Sequence, residues 1–263
     1  MTDAAFYQLG PLREYLEDPT VFEIRINCFQ EVICDTFSGR RVVQNAAITA
    51  DFIRNLAKSL VSSNKLTMQA INDVILPGGI RGVICLPPAV IDGTTAVAFR
   101  KDLAADKNLE QLIFSDCRKI TGSKQSLTDD DFFLKELHSS EKWPAFLQTA
   151  VEKKRTIVIC GETGSGKTVL TRALLKSLHK DERVIILEDV HEVTVDHVVE
   201  AVYMMYGDAG KIGRVSATDA LRACMRLTPG RIIMTELRDD AAWDYLKALN
   251  TGHPGGVMST HAN

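Results

Sequence analysis

Eight consecutive residues constrain this chain more than any others. Gly161-Glu162-Thr163-Gly164-Ser165-Gly166-Lys167-Thr168 satisfies GxxxxGK[ST] at every fixed position. The flanks agree with the string. Thr156 to Cys160 is a short apolar run that reads as a strand, and Val169, Leu170, Ala173, Leu174 and Leu178 form an amphipathic stripe for a helix from Lys167. Strand, glycine-rich turn and helix in that order make a phosphate cradle. Glycines let backbone N–H groups turn inward, and the positive end of the helix faces the same hollow. Lys167 supplies a point charge to β- and γ-phosphates, and the Thr168 hydroxyl can ligate Mg²⁺. ATP with Mg²⁺ is the expected ligand.

The surrounding rhythm is that of a parallel sheet. Arg183 to Leu187 and Arg231 to Thr235 are further strand-like runs. Helical stretches cover Lys167 to Leu178, Ser216 to Leu227 and Asp239 to Leu249, the last with Ala242, Tyr245, Leu246 and Leu249 on one face. Short β-branched runs between amphipathic helices predict a mostly parallel sheet covered on both sides. A carboxylate just after such a strand emerges at the same carboxyl edge as the phosphate loop. Glu188-Asp189, with Glu192 beyond, follows one strand, and Glu236, with Arg238 beyond, follows another. Either acid could hold a metal's water shell or orient an attacking water. A final apolar run lies between His253 and His261, and a histidine there could donate to a γ-phosphate.

The first half reads differently. Val21 to Asn27, Glu31 to Phe37, Arg41 to Ala46, Gly82 to Leu86 and Ala96 to Arg100 are strand candidates. Thr49 is the N-cap of a helix whose stripe is Phe52, Ile53, Leu56, Ala57, Leu60 and Val61. This is a small α+β pattern, assigned to residues 1–117. A polar stretch at 118–127 is the expected linker, and 128–263 the nucleotide domain. That second unit opens with a capping box at Thr128 and Asp131, then a helix from Trp143-Pro144 that buries Phe146, Leu147, Ala150 and Val151.

Composition removes other classes. Hydrophobic residues make up 45% and charged residues 25% of 263, which suits a globular chain rather than a disordered one. No apolar run reaches the ~18 residues of a membrane span, and MTDAAFYQLG lacks the layout of a secretory signal. A net charge of -3 gives no footprint for nucleic acid, so sequence-specific binding to it is not expected. The six cysteines form no CxxC pair, and suit a reducing, cytoplasmic setting as small buried residues.

Taken in order, these segments resemble the hexameric traffic ATPases of bacterial secretion. They are most like the ATPase of type IV secretion and conjugation systems, and more distantly like type II secretion and type IV pilus motors. GETGSGKT matches the family's Walker A, and ILEDVHEV resembles its Asp box. ALRACMRLTPGRIIMTELRD resembles its Walker B region, and TGHPGGVMSTHA its His box. LPGGIRGVICLPPAVIDGTTAVAFRK resembles the stretch of the N-terminal domain whose two basic positions reach the nucleotide.

The resemblance implies an α/β fold, with a RecA-like P-loop domain preceded by a small α+β domain. It implies an ATPase that powers assembly of, or transfer through, a type IV secretion system. Gly161 to Thr168 would bind phosphate and Mg²⁺. Glu188 would be the general base, with Asp189 and Glu192 beside it, and Glu236 would sit on the metal's water shell. His253 and His261 would be the His-box residues, and Arg81 and Arg100 would neutralise phosphate charge. Arg222, Arg226 and Arg238 are candidates for a subunit boundary. Implied partners are five further copies in a homohexamer, inner-membrane channel components on whose cytoplasmic face the ring sits, a coupling protein, and protein or protein–DNA cargo. Hydrolysis would shift the two domains against each other. The Walker B strand lacks an aspartate before Thr235, which makes metal ligation there indirect. Family members continue through several helices after the His box, so the sequence reads as cut short. A nucleotide-binding scaffold without turnover and a RecA-like DNA motor are the alternatives.

Overall fold

The computed structural model describes residues 9–101, 127–207, 215–237 and 241–261. Alternation builds the first of two sheets. β1 (Val21–Ile26), β2 (Glu31–Thr36), β3 (Gly39–Gln44), β4 (Ile71–Ile75), β5 (Arg81–Cys85) and β6 (Ala96–Arg100) pair antiparallel in the order β3-β2-β1-β6-β5-β4. A short helix α1 (Arg13–Glu17) precedes β1, and α2 (Ala50–Ser63) follows β3. Thr49 caps α2 as expected, its hydroxyl accepting the Phe52 N–H at 3.1 Å. The α2 stripe of Ile53, Leu56, Ala57, Leu60 and Val61 meets Ile24, Ile84, Val97 and Phe99 in one core. Each fully buried Leu, Ile, Val or Phe side chain there contributes about 1.5–3 kcal/mol.

The second sheet comprises β7 (Ile157–Gly161), β8 (Arg183–Glu188), β9 (Glu200–Met205), β10 (Arg231–Met234) and β11 (Val257–His261). All its pairs are parallel, in the order β7-β11-β10-β8-β9. Around it lie α3 (Asp129–Ser139), α4 (Trp143–Glu152), α5 (Lys167–Leu175), α6 (Ala217–Arg226) and α7 (Ala241–Asn250). The Thr128–Asp131 capping box opens α3. Period two sorts the strand residues between layers. Val184, Ile186, Ile233 and Val257 pack with Val151 of α4 and Leu174 of α5, whereas Ile185, Leu187, Ile232 and Met258 pack with α6 and α7.

The two sheets dock through the outer face of the first. Val83, Cys85, Ala96 and Ala98 belong to the same core as Leu187, Met204 and Leu221. Charge is buried beside this apolar contact. Glu200, fully buried at the start of β9, faces Arg25 at 3.1 Å, Arg40 at 3.1 Å and Arg183 at 3.0 Å. Arg25 also pairs with Asp35, and Thr228 donates to Glu23 at 2.6 Å. Sliding one domain over the other within this chain would expose apolar surface and strand buried charges. The expected shift between the two domains would have to break these contacts.

Departures from the sequence pattern are local. In α7 Tyr245 and the partly buried Leu249 meet the core as expected, joined by Ala241 and Ala248, whereas Leu246 of the expected face is exposed. The helix lies against β10, where the Tyr245 hydroxyl donates to the Ile232 carbonyl at 2.7 Å, and this fixes its rotation. Strands β4 and β9 escape the sequence pattern because each buries a polar residue, Asn72 and Glu200, where alternation leads one to expect an apolar one. Of the expected linker, only Leu127 falls among the described residues. Cys34, Cys85 and Cys224 are buried free thiols, with burial pushing Cys85 up to about 12; Cys117 lies outside the described residues. No helix among the described residues is long and apolar enough to cross a membrane.

Candidate nucleotide-binding site

The phosphate loop joins the end of β7 to the start of α5. Its turn depends on glycine at two points. Gly164 and Gly166 have φ of +81° and +89°, the left-handed region that other residues enter at a cost. Gly166 is the N-cap of α5, and no acidic side chain occupies that helix's first turn. The free N–H groups and the positive helix end are therefore open to an anion. The Lys167 ammonium reaches back over the loop and donates to the carbonyls of Gly161 and Glu162, each at 2.8 Å. Thr168 is half-buried beside it at the second position of the helix.

Strand order brings the other segments to this loop. Parallel register sets His261 of β11 against Gly161 of β7. The next strand over, β10, leads into Glu236, and the one after, β8, ends in Glu188. Neighbouring strands lie about 4.8 Å apart, so Glu236 stands about two strand spacings from the loop and Glu188 about three. The Thr235 N–H donates to the Leu187 carbonyl at 3.1 Å, and the Leu237 N–H to the Ser259 carbonyl at 2.8 Å, which fixes Glu236 between two strands. Its carboxylate Oε1 lies 3.0 Å from His261 Nε2, and the Tyr206 hydroxyl donates to its carbonyl at 2.7 Å.

Glu188 is placed quite differently. It is fully buried, and its carboxylate is spent on its own loop. Oε1 accepts the N–H groups of Glu192 at 3.1 Å and Val193 at 3.0 Å, and Oε2 pairs with His191 Nδ1 at 2.9 Å. Burial raises its pKa, and those three partners oppose the rise without cancelling it. A carboxylate held this way shapes its own loop, whereas the Glu236 carboxylate faces His261 at the carboxyl edge of the sheet. Asp189 accepts the Val190 N–H at 2.8 Å at the head of that loop, and the Glu192 side chain is exposed.

The remaining candidates are not gathered here. His253 precedes β11, at the amino edge of the sheet, and its Nδ1 lies 2.7 Å from the Pro229 carbonyl. The length of β11, about 13 Å over four residue steps, separates that edge from His261. Arg81 and Arg100 face each other across β5 and β6, and Arg100 is in register with Glu23. Glu23 is held by Thr228 just ahead of β10, again at the amino edge, so neither arginine meets this chain's own phosphate loop. Arg222 pairs with Asp219, and Arg226 crosses to Asp73 of the first domain. Arg238 lies outside the described residues. Sequence reasoning passed over Arg172, His191 and Tyr206. Only their nearness to the motifs could have pointed to them.

The residues present fit a magnesium nucleotide. Among the described residues no cluster of His, Cys, Asp and Glu could hold a metal by itself. Mg²⁺ is commonly held through few protein ligands together with phosphate oxygens, and the Thr168 hydroxyl could serve as such a ligand. The Glu188 carboxylate, expected as general base or on the metal's water shell, is instead buried and bonded within its own loop.

Residues 123–263 match the family model described as Type II/IV secretion system protein. The type IV secretion system protein VirB11 of Bartonella quintana (strain Toulouse) is 31% identical over 272 residues, covering 97% of this chain and 76% of the relative. VirB11 of Brucella suis biovar 1 (strain 1330) is 33% identical over 266 residues, covering 97% and 73%. The crystal structure of the VirB11 ATPase from the Brucella suis type IV secretion system, in complex with sulphate, superposes with a TM-score of 0.89 at 32% identity, covering 98% of this chain and 76% of that one.

Proposed function

Since this chain belongs to the type II/IV secretion system protein family and is an ATP-driven motor of the type IV secretion kind, we propose that its turnover centre is the row Gly161–Thr168, His261 and Glu236. The observation that carries this is the strand order, which sets His261 next to the phosphate loop and Glu236 one strand beyond, paired with His261. Loop amides and the end of α5 hold the triphosphate. Lys167 gives up its two loop carbonyls for phosphate oxygens and offsets the charge that builds on the transferred group. Glu236 orients the attacking water and takes up its proton, and His261 fixes the carboxylate and senses whether the γ-phosphate is present. Thr168 would hold Mg²⁺, which when bound would supply further charge neutralisation on the phosphates. Glu188 keeps the acidic loop folded and does not serve as the base.

The output is motion between chains. Because each chain's two sheets share a core and a buried charge cluster, they move together, and a homohexamer passes the movement to its neighbours. Arg81 and Arg100, remote from their own phosphate loop, are free to serve a neighbouring chain. The ring works on the cytoplasmic face of the inner membrane, against channel components and a coupling protein, and moves protein or protein–DNA cargo. The direct test is Lys167→Ala. It abolishes ATP turnover while the far-UV circular dichroism stays unchanged; turnover at the wild-type rate refutes the site.

A further inference from the structure

Helix α5 carries more than the phosphate ligands. Arg172 lies four residues after Thr168, one turn down the same helix face. Its guanidinium donates twice to a single acceptor, the Glu192 carbonyl, through Nε at 2.9 Å and Nη2 at 2.5 Å. Glu192 is gripped from the other side as well, its N–H donating to Glu188 at 3.1 Å. The loop between them is steadied by His191, which pairs with Glu188 at 2.9 Å and stands edge-on against the Tyr203 ring of β9, centroids 4.9 Å apart. The Tyr203 hydroxyl in turn accepts the Val195 N–H at 2.9 Å.

Resting on the reading that Lys167 and Thr168 hold nucleotide, we propose that Arg172 is a positioning residue: it braces the acidic loop 189–193 against the phosphate-binding helix, with His191 as a second strut. An arginine donating to a carbonyl needs no charged partner. What the contact fixes is the distance between Thr168 at the head of α5 and the loop carboxylates of Asp189 and Glu192, which on this proposal would line the water shell of a bound magnesium nucleotide beside the Glu236–His261 pair. Displacing a group near the reacting centre by about 1 Å can cost up to ~100-fold in rate while leaving ground-state binding alone. An exposed arginine kept for helix solubility would have no such effect.

The test compares wild type, Arg172→Ala, Arg172→Lys and Lys167→Ala. It measures ATP turnover, affinity for a fluorescent ATP analogue, and hydrogen exchange at the Glu192 and Val193 amides. Arg172→Ala lowers kcat about tenfold or more, keeps affinity within about twofold, and speeds exchange of both amides about tenfold. Arg172→Lys, with one stem able to reach the carbonyl, recovers part of each loss. Lys167→Ala abolishes turnover and leaves the two amides protected. Unchanged exchange in Arg172→Ala overturns the brace, whatever turnover does. So does a loss of affinity with kcat intact, which would make Arg172 a nucleotide ligand. Turnover surviving in Lys167→Ala would remove the nucleotide reading instead, and the exchange comparison would still decide the brace.

Discussion

Replacing Glu200 by glutamine removes one charge and almost no volume from the joint between the two sheets. In the wild type this carboxylate is fully buried and lies within 3.1 Å of Arg25, Arg40 and Arg183. Arg25 and Arg183 are themselves almost wholly buried, so their charges cannot turn to water when the partner goes. Arg25 retains Asp35 and Glu23 in direct contact, whereas Arg183 is left with hydrogen bonds to the Asn27 amide oxygen and the Leu227 carbonyl and with Glu23 and Asp35 only as more distant charges. Breaking a buried pair from one side costs about 3–5 kcal/mol, because an uncompensated charge stays behind. For a chain of this size that lowers Tm by about 6–20 °C. The assay is thermal and urea unfolding followed by circular dichroism. Glu17→Gln is the control, since Glu17 pairs with Arg13 in the open and should cost less than about 1 kcal/mol. A Glu200→Gln loss below about 1 kcal/mol would refute the idea that buried charge fastens the two sheets.

Two further outcomes follow from the same geometry. Glu236→Gln lowers kcat by about 10²–10⁴ with the melting temperature little changed, whereas Glu188→Gln shows first as lost stability, because three donors lose a charged acceptor; steady-state kinetics beside thermal melts separate the two, and the reverse pattern would restore Glu188 as the base. Acid should loosen the fold through Asp35 and Glu182: burial alone would raise both, yet Arg25 holds Asp35 and Arg231 holds Glu182 below their ordinary values of 3.8 and 4.5. Both folded pKa values are depressed, so the stability they lend is full above those ordinary values and is lost as pH falls through the lower, folded ones. Unfolding midpoints measured from pH 6 down to pH 2 check this, and a flat profile below pH 4 contradicts it.

What the sequence determined by itself was local. The glycines of the phosphate loop, the caps at Thr49 and Thr128 and the stripe along α2 follow from backbone sterics and bonds spanning a few residues, so the chain spells them out. The motif order identified a nucleotide-driven machine for the same reason, since each motif is a short string with its own chemistry. Which acids and histidines share a site was decided elsewhere. Glu188 and Glu236 look alike as carboxylates after apolar strands, and His253 and His261 look alike as flanks of one run. Only the order β7-β11-β10-β8 sets His261 beside the loop with Glu236 next to it, turns Glu188 inward and leaves His253 at the far edge. That order is settled by crossover connections and by burial against both helix layers, interactions between residues far apart in the chain. The same holds for Arg25, Arg183, Glu200 and Arg231. As letters they read as solvated charges, and they are buried because each meets its partners from elements remote in sequence.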